Sequence, residues 1–312
     1  MRGTLSTRLV ALVGASQVGK SSLINALTGK NLLPVGGSNG PCTLTACLWG
    51  VDGLPSPEET MRVAAQWKPA GELVETESSV SHLSRGLSAR QQEDLRSRLH
   101  SWLSAEGPEL AEALRLGRAL HLPNGSANTP EIITSLVSDW PAGLLESVFL
   151  SPGDPPLLNL VDLPGLGVGG GSAELTRAWI SNYADRLDFV VCVVRDNGLP
   201  TSVARTLQEA WRNQEDALAS RLIVVCTYLD NDLCQMDYDD TPEAAAQALN
   251  LAVSRRREAT LNQARKMLDQ DLAPERVFVL DVAARSSRHL RKNPTVNLAG
   301  ELERLRSMLL DR

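Results

Sequence analysis

Eight residues near the start of the chain, Gly14-Ala15-Ser16-Gln17-Val18-Gly19-Lys20-Ser21, have the types and spacing that hold a polyphosphate. The pattern is GxxxxGK[ST], with an apolar run before it and a helical pattern, SSLINAL, after it. Gly14 and Gly19 let the backbone curl until successive N–H groups face inward around phosphate oxygens. Ala15, Ser16, Gln17 and Val18 supply the amides between them. The helix opening at Lys20, Ser21 and Ser22 adds the partial positive charge of its N-terminus. Lys20 brings a point charge for the β and γ phosphates, and the Ser21 hydroxyl is an oxygen ligand for Mg²⁺.

Such a loop needs a second metal contact from another strand end. Asp162, in LLNLVDLPG, follows an apolar run and offers a carboxylate to the ion through water. Three residues on, the backbone N–H of Gly165 is a candidate for the γ-phosphate. Gly167, Gly169, Gly170 and Gly171 then make a segment that orders only against that phosphate, which is switch behaviour. Between the two motifs, LLPVGGSNGPCTLTACLWG is glycine-rich and ends in a strand. Its Thr43 is expected to place a hydroxyl on Mg²⁺ and a carbonyl on the attacking water, with Thr45 as the alternative. Later, LIVVCTYLDND ends a strand run in Asp230, whose carboxylate can accept both N1–H and the exocyclic amine of guanine. Adenine has no such donor pair, so Asp230 predicts GTP. Thr227 opens that loop, and the Tyr228 ring can lie along the purine face.

A frame must carry these residues. Continuous apolar, β-branched runs recur at RLVALV (8–13), LLNLV (157–161), FVVCVV (189–194), LIVVC (222–226) and VFVL (277–280). Unbroken runs suit strands buried on both faces of a parallel sheet. Helical patterns separate the later ones: one capped by Ser172 with Leu175, Trp179, Ile180 and Tyr183 on one side, one capped by Thr201 or Ser202, one from Thr241-Pro242-Glu243 to about Asp271, and a last from Leu298 to Leu310. The alternation predicts an α/β fold, a mixed, mainly parallel sheet flanked by helices. From about 52 to 145 the rhythm breaks into proline-rich joints and helical patterns (Leu95, Leu99, Trp102 and Leu103; Leu110, Ala113, Leu114 and Gly117). That stretch is expected to be a mainly helical insertion in a single domain, 1–312, whose core is 5–51 and 146–312.

Composition narrows the rest. Hydrophobic residues make up 43% of 312 and charged residues 22%, enough for a packed core. The formal charge of −6 (31 basic against 37 acidic residues) provides no global basic field for nucleic acid or anionic lipid. No apolar run approaches the ~20 residues of a membrane-spanning helix, and no secretory signal is evident at the start. Five cysteines, two of them inside strand-like runs, predict reduced buried thiols and a cytoplasmic protein. Cys42 with Cys47, and Cys226 with Cys234, lack the paired spacing of a zinc site. The four histidines are scattered, and the basic clusters at 255–257 and 285–292 read as solvated surface. Arg195 is the arginine closest to an arginine-finger position, and it reads as a surface residue.

Together, GASQVGKSSLINALTG, LLPVGG…PCT, VDLPG and TYLD resemble the GTPase domain of the dynamin superfamily over roughly 5–50 and 146–288. The resemblance implies the P-loop GTPase fold and GTP hydrolysis to GDP and phosphate with Mg²⁺. It assigns phosphate and metal binding to Lys20 and Ser21, and water and metal positioning to Thr43. Asp162 and Gly165 would form the second switch, and Thr227 and Asp230 would read guanine. The family's last base-contacting loop falls on Ala284-Arg285-Ser286. The resemblance also implies GTP-dependent dimerisation between two such domains. Three positions depart from it: Tyr228 replaces a lysine that lines the base pocket, Ser16-Gln17 reverses the family's pair, and Ala284 stands where asparagine is common. These changes favour nucleotide binding over fast turnover, so a switch with little or no hydrolysis is a rival expectation, and an ATPase or nucleotide kinase on the same loop is another.

Overall fold

A computed structural model describes residues 8–29, 33, 46–50, 60–67, 120–123, 145–152, 158–166, 172–195, 198–212, 215–227, 242–280 and 299–311. Among these, the elements run β1 (Arg8–Val13), α1 (Lys20–Thr28), β2 (Ala46–Trp49), β3 (Thr60–Trp67), β4 (Leu120–Pro123), β5 (Leu145–Pro152), β6 (Leu158–Asp162), α2 (Ser172–Tyr183), β7 (Phe189–Val194), α3 (Thr201–Ala210), α4 (Glu215–Arg221), β8 (Leu222–Thr227), α5 (Pro242–Leu268), β9 (Val277–Leu280) and α6 (Ala299–Leu310). The chain divides into two compact units: Met1–Thr7 with Asn31–Thr176, and Arg8–Lys30 with Arg177–Arg312.

In the unit of 8–30 and 177–312, β1, β7, β8 and β9 lie side by side, every described pairing parallel. Their residues are buried almost throughout, as the unbroken apolar runs require. Helix α6 packs against β1, β9 and α1, while α5 covers β8, β9 and α3. Val203, Ala204, Thr206 and Leu207 form the buried stripe of α3. Its N-cap is Pro200, with no side-chain capping bond, so neither Thr201 nor Ser202 caps it as expected. The fixed φ of proline pre-sets the entry instead.

In the unit of 31–176 the pairing is mixed. β3 lies antiparallel to both β4 and β5, β5 parallel to β2, and β2 antiparallel to β6. The apolar run of β6 lies antiparallel to β2, within the mixed, mainly parallel sheet that was expected. Burial on both faces sets the composition of a strand, and strand direction does not follow from it. Within 52–145, where mainly helix was expected, the described residues form β3, β4 and the first residue of β5. The helical patterns at 95–103 and 110–117 lie outside the described residues. Among the described residues, no helix is long and apolar enough to cross a membrane.

Candidate nucleotide-binding site

Strand β1 hands directly into the glycine loop. At Gly14 a Cβ would lie 2.3 Å from the Val193 carbonyl oxygen of β7, so only glycine lets the loop leave the sheet this close to its neighbour. Gln17 (φ 59°) and Gly19 (φ 92°) take left-handed backbone conformations. Left-handed residues set among right-handed ones turn successive N–H groups to one side, the geometry of an anion nest. Gly19 is the N-cap of α1, with no side-chain cap and no acidic residue in the first turn. The positive end of the helix is therefore not neutralised by a carboxylate of its own first turn.

Lys20 is only 7% exposed. A lysine so deeply placed must have acceptors, and its Nζ donates to the Ala15 carbonyl 2.8 Å away, across the loop. Its charge reaches the strand below. Burial pushes the Cys192 thiol of β7 up to about 12, with the Lys20 ammonium pulling weakly the other way. Ser21 and Ser22 sit half-buried on α1.

Thr227 closes β8 and is fully buried. Its Oγ1 donates to the Val18 carbonyl at 2.5 Å, with the Val194 carbonyl 3.3 Å away. The strand that leads to Asp230 is thereby tied to the glycine loop, so the Thr227 side chain holds loop backbone. The far end of α1 is held too: Arg306 of α6 donates to the Ala26 carbonyl at 2.6 Å and the Leu27 carbonyl at 3.2 Å.

In the other unit, Asp162 ends β6 with no exposed surface, and Leu163, Pro164, Gly165 and Leu166 are all buried. Asp162 pairs across the antiparallel ladder with Cys47. Burial raises the Cys47 thiol well above its ordinary range, and the Asp162 carboxylate pushes the same way. The Thr176 hydroxyl of α2 donates to the Pro164 carbonyl at 2.8 Å.

Of the residues expected at the site, Gly14 to Ser22 and Thr227 are brought together in one unit, and Asp162 and Gly165 belong to the other. Thr43, its alternative Thr45, Tyr228, Asp230, Ala284 and Arg285 lie outside the described residues. Arg195 is exposed and forms a backbone bridge to Gly198. Three contributors were not singled out from the sequence as site residues. Cys192 looks like any strand residue, Arg306 like a surface charge, and Thr176 like a polar interruption of a helix stripe. The stripe itself was the available clue, because Thr176 shares a face with Trp179, Ile180 and Tyr183.

Magnesium suits the oxygen donors on offer. It prefers hard oxygens, keeps several waters and takes few protein ligands beside substrate phosphates. The Ser21 hydroxyl and the Asp162 carboxylate are donors of that kind. Among the described residues, no group of three or more His, Cys, Asp and Glu side chains is gathered to hold a metal.

The family model described as "Dynamin family" matches residues 10–229. No curated protein matches the chain. Among solved structures, two chains of an oligomerised bacterial dynamin pair, described as providing a mechanism for long-range sensing and tethering of membranes, share its fold. Their TM-scores are 0.53 and 0.52 at 14% and 13% identity, over 98% and 99% of this chain and 38% and 39% of theirs. The chain thus spans less than two-fifths of those proteins, and at this identity the likeness shows the P-loop GTPase fold alone.

Proposed function

The chain belongs to the dynamin family, and on that premise we propose that it binds GTP with Mg²⁺ and hydrolyses it to GDP and phosphate. The observation that carries the reading is the glycine loop. Left-handed Gln17 and Gly19, the buried Lys20 ammonium and a helix end whose own first turn carries no acidic residue form one positively polarised cradle. In this reading the Lys20 ammonium turns from the Ala15 carbonyl to the β and γ phosphates. The loop amides hold the remaining oxygens, and catalysis is positioning plus charge stabilisation. Ser21, Thr43 (or Thr45) and Asp162 would hold Mg²⁺, which when bound neutralises charge on the phosphate oxygens. Thr43 orients the attacking water, Gly165 donates its N–H to the γ-phosphate, Asp230 selects guanine, and Tyr228, Ala284 and Arg285 line the base. GTP-dependent pairing of two copies, a cytoplasmic location and no nucleic-acid partner belong to the same proposal.

The test compares binding and turnover of GTP and ATP by wild type, Lys20→Ala and Asp230→Ala. Lys20→Ala is expected to abolish triphosphate binding, and Asp230→Ala to weaken GTP alone. Equal loss of both nucleotides in Asp230→Ala would retire the guanine assignment. A low-turnover switch is the second reading, favoured by Tyr228 and the Ser16-Gln17 order. GTP held at equilibrium with no phosphate released over hours would establish it. Light scattering that stays monomeric with a GTP analogue would refute the pairing.

A further inference from the structure

Two helical threonines among the described residues satisfy their hydroxyls at home. Thr28 donates to the Ile24 carbonyl and Thr206 to the Ser202 carbonyl, each four residues back in its own helix and each at 2.9 Å. This local bond is the default for a threonine in a helix. Thr176 departs from it. Fully buried on α2, it reaches twelve residues back, out of its helix, to the Pro164 carbonyl at 2.8 Å.

The carbonyl it grips belongs to a particular peptide group. The C=O of Pro164 and the N–H of Gly165 are two ends of one planar unit. In a trans peptide they point in opposite directions, so fixing one aims the other. The described residues contain no cis peptide. With glycine on one side, rotation of this plane meets little steric resistance, and without an anchor the amide would sample several directions. A hydrogen bond to the carbonyl also polarises the group and strengthens its N–H as a donor.

We propose that Thr176 is a positioning residue that aims the Gly165 amide and so sets the preference for a nucleoside triphosphate over a diphosphate. The proposal rests on the reading of Gly165 as the γ-phosphate donor and deepens it. Thr176 touches no substrate; it orients a donor in advance, which removes reorganisation from binding and from the chemical step. Only a ligand carrying a γ-phosphate senses this.

The experiment measures equilibrium affinity for GDP and for the β,γ-imido analogue of GTP, and single-turnover GTP hydrolysis. It uses wild type, Thr176→Val, Thr176→Ala and Thr176→Ser. Valine keeps the shape and removes the hydroxyl, alanine serves should valine not fold, and serine restores the donor. The expected result is a roughly tenfold loss of analogue affinity in the valine and alanine variants, the scale of one hydrogen bond to a charged group. Hydrolysis falls at least as much, GDP affinity stays within about twofold, and serine recovers both. A merely structural role would weaken GDP and the analogue alike, and that outcome overturns the proposal. Unchanged analogue affinity, or a selective loss that serine fails to rescue, overturns it too. If wild type binds neither nucleotide, the reading of the site itself falls and the proposal with it. Failure of the proposal alone leaves wild-type GTP binding intact.

Discussion

The Thr227 hydroxyl at the end of β8 donates to the carbonyl of Val18, 209 residues earlier in the middle of the glycine loop, at 2.5 Å. The loop's shape is therefore held from the strand that leads toward the expected base-reading residues. Thr227→Val would keep the shape and leave the buried Val18 carbonyl without this donor. We expect a stability loss of about 1–3 kcal/mol, with GTP and GDP affinity falling together. Chemical denaturation and nucleotide titration check it; unaltered stability would mean the bond contributes nothing net.

Two glycines should respond differently to alanine. At Gly14 the added methyl would meet the Val193 carbonyl at 2.3 Å, a backbone atom that cannot yield without moving β7. At Gly29, the left-handed C-cap of α1 (φ 67°), nothing lies within 4 Å. Gly29→Ala is expected to cost about 1 kcal/mol, from backbone conformation alone. Gly14→Ala should cost about 3 kcal/mol, at the upper end of overpacking penalties, and distort the glycine loop. Equal melting temperatures for the two variants would contradict this ordering.

Arg306 offers a test of how firmly α1 is seated. Its guanidinium spans the Ala26 and Leu27 carbonyls at the helix C-terminus, where a cation also meets the negative end of the dipole. Arg306→Ala should lower stability by about 1–2 kcal/mol. Arg306→Lys should recover only part of it, since a compact ammonium does not reproduce the guanidinium fork. Denaturation midpoints of the three proteins decide the matter.

Alkaline pH should unfold this protein partly through Cys192. Its thiol is raised to about 12 in the folded state from 9.0, chiefly by burial. The folded protein keeps that proton while the unfolded chain loses it, so the stabilisation is fully present below pH 9 and declines from there up to about 12. Wild type should lose about 1.4 kcal/mol more than Cys192→Ala between pH 8 and pH 10. Parallel pH profiles for the two proteins would show that the thiol is not what resists alkali.

Local rules written in the chain were enough to place the glycine loop between β1 and α1, because GxxxxGK[ST] between an apolar run and a helical pattern is a short-range statement about backbone and charge. They were enough for β1, β6, β7, β8 and β9, whose burial on both faces demands unbroken apolar residues. They were not enough for β3 and β4, whose residues TMRVAAQW and LHLP carry no such run. Nor did they reveal that β2 and β6 run antiparallel, since composition records burial and not direction. Folding alone chose the partners of the buried hydroxyls and of the capping arginine: Thr227 with Val18, Thr176 with Pro164, Arg306 with Ala26 and Leu27. A threonine or arginine carries the same donors wherever it stands. Which carbonyl receives them depends on how distant strands and helices pack, and residue spacing along the chain holds no trace of that.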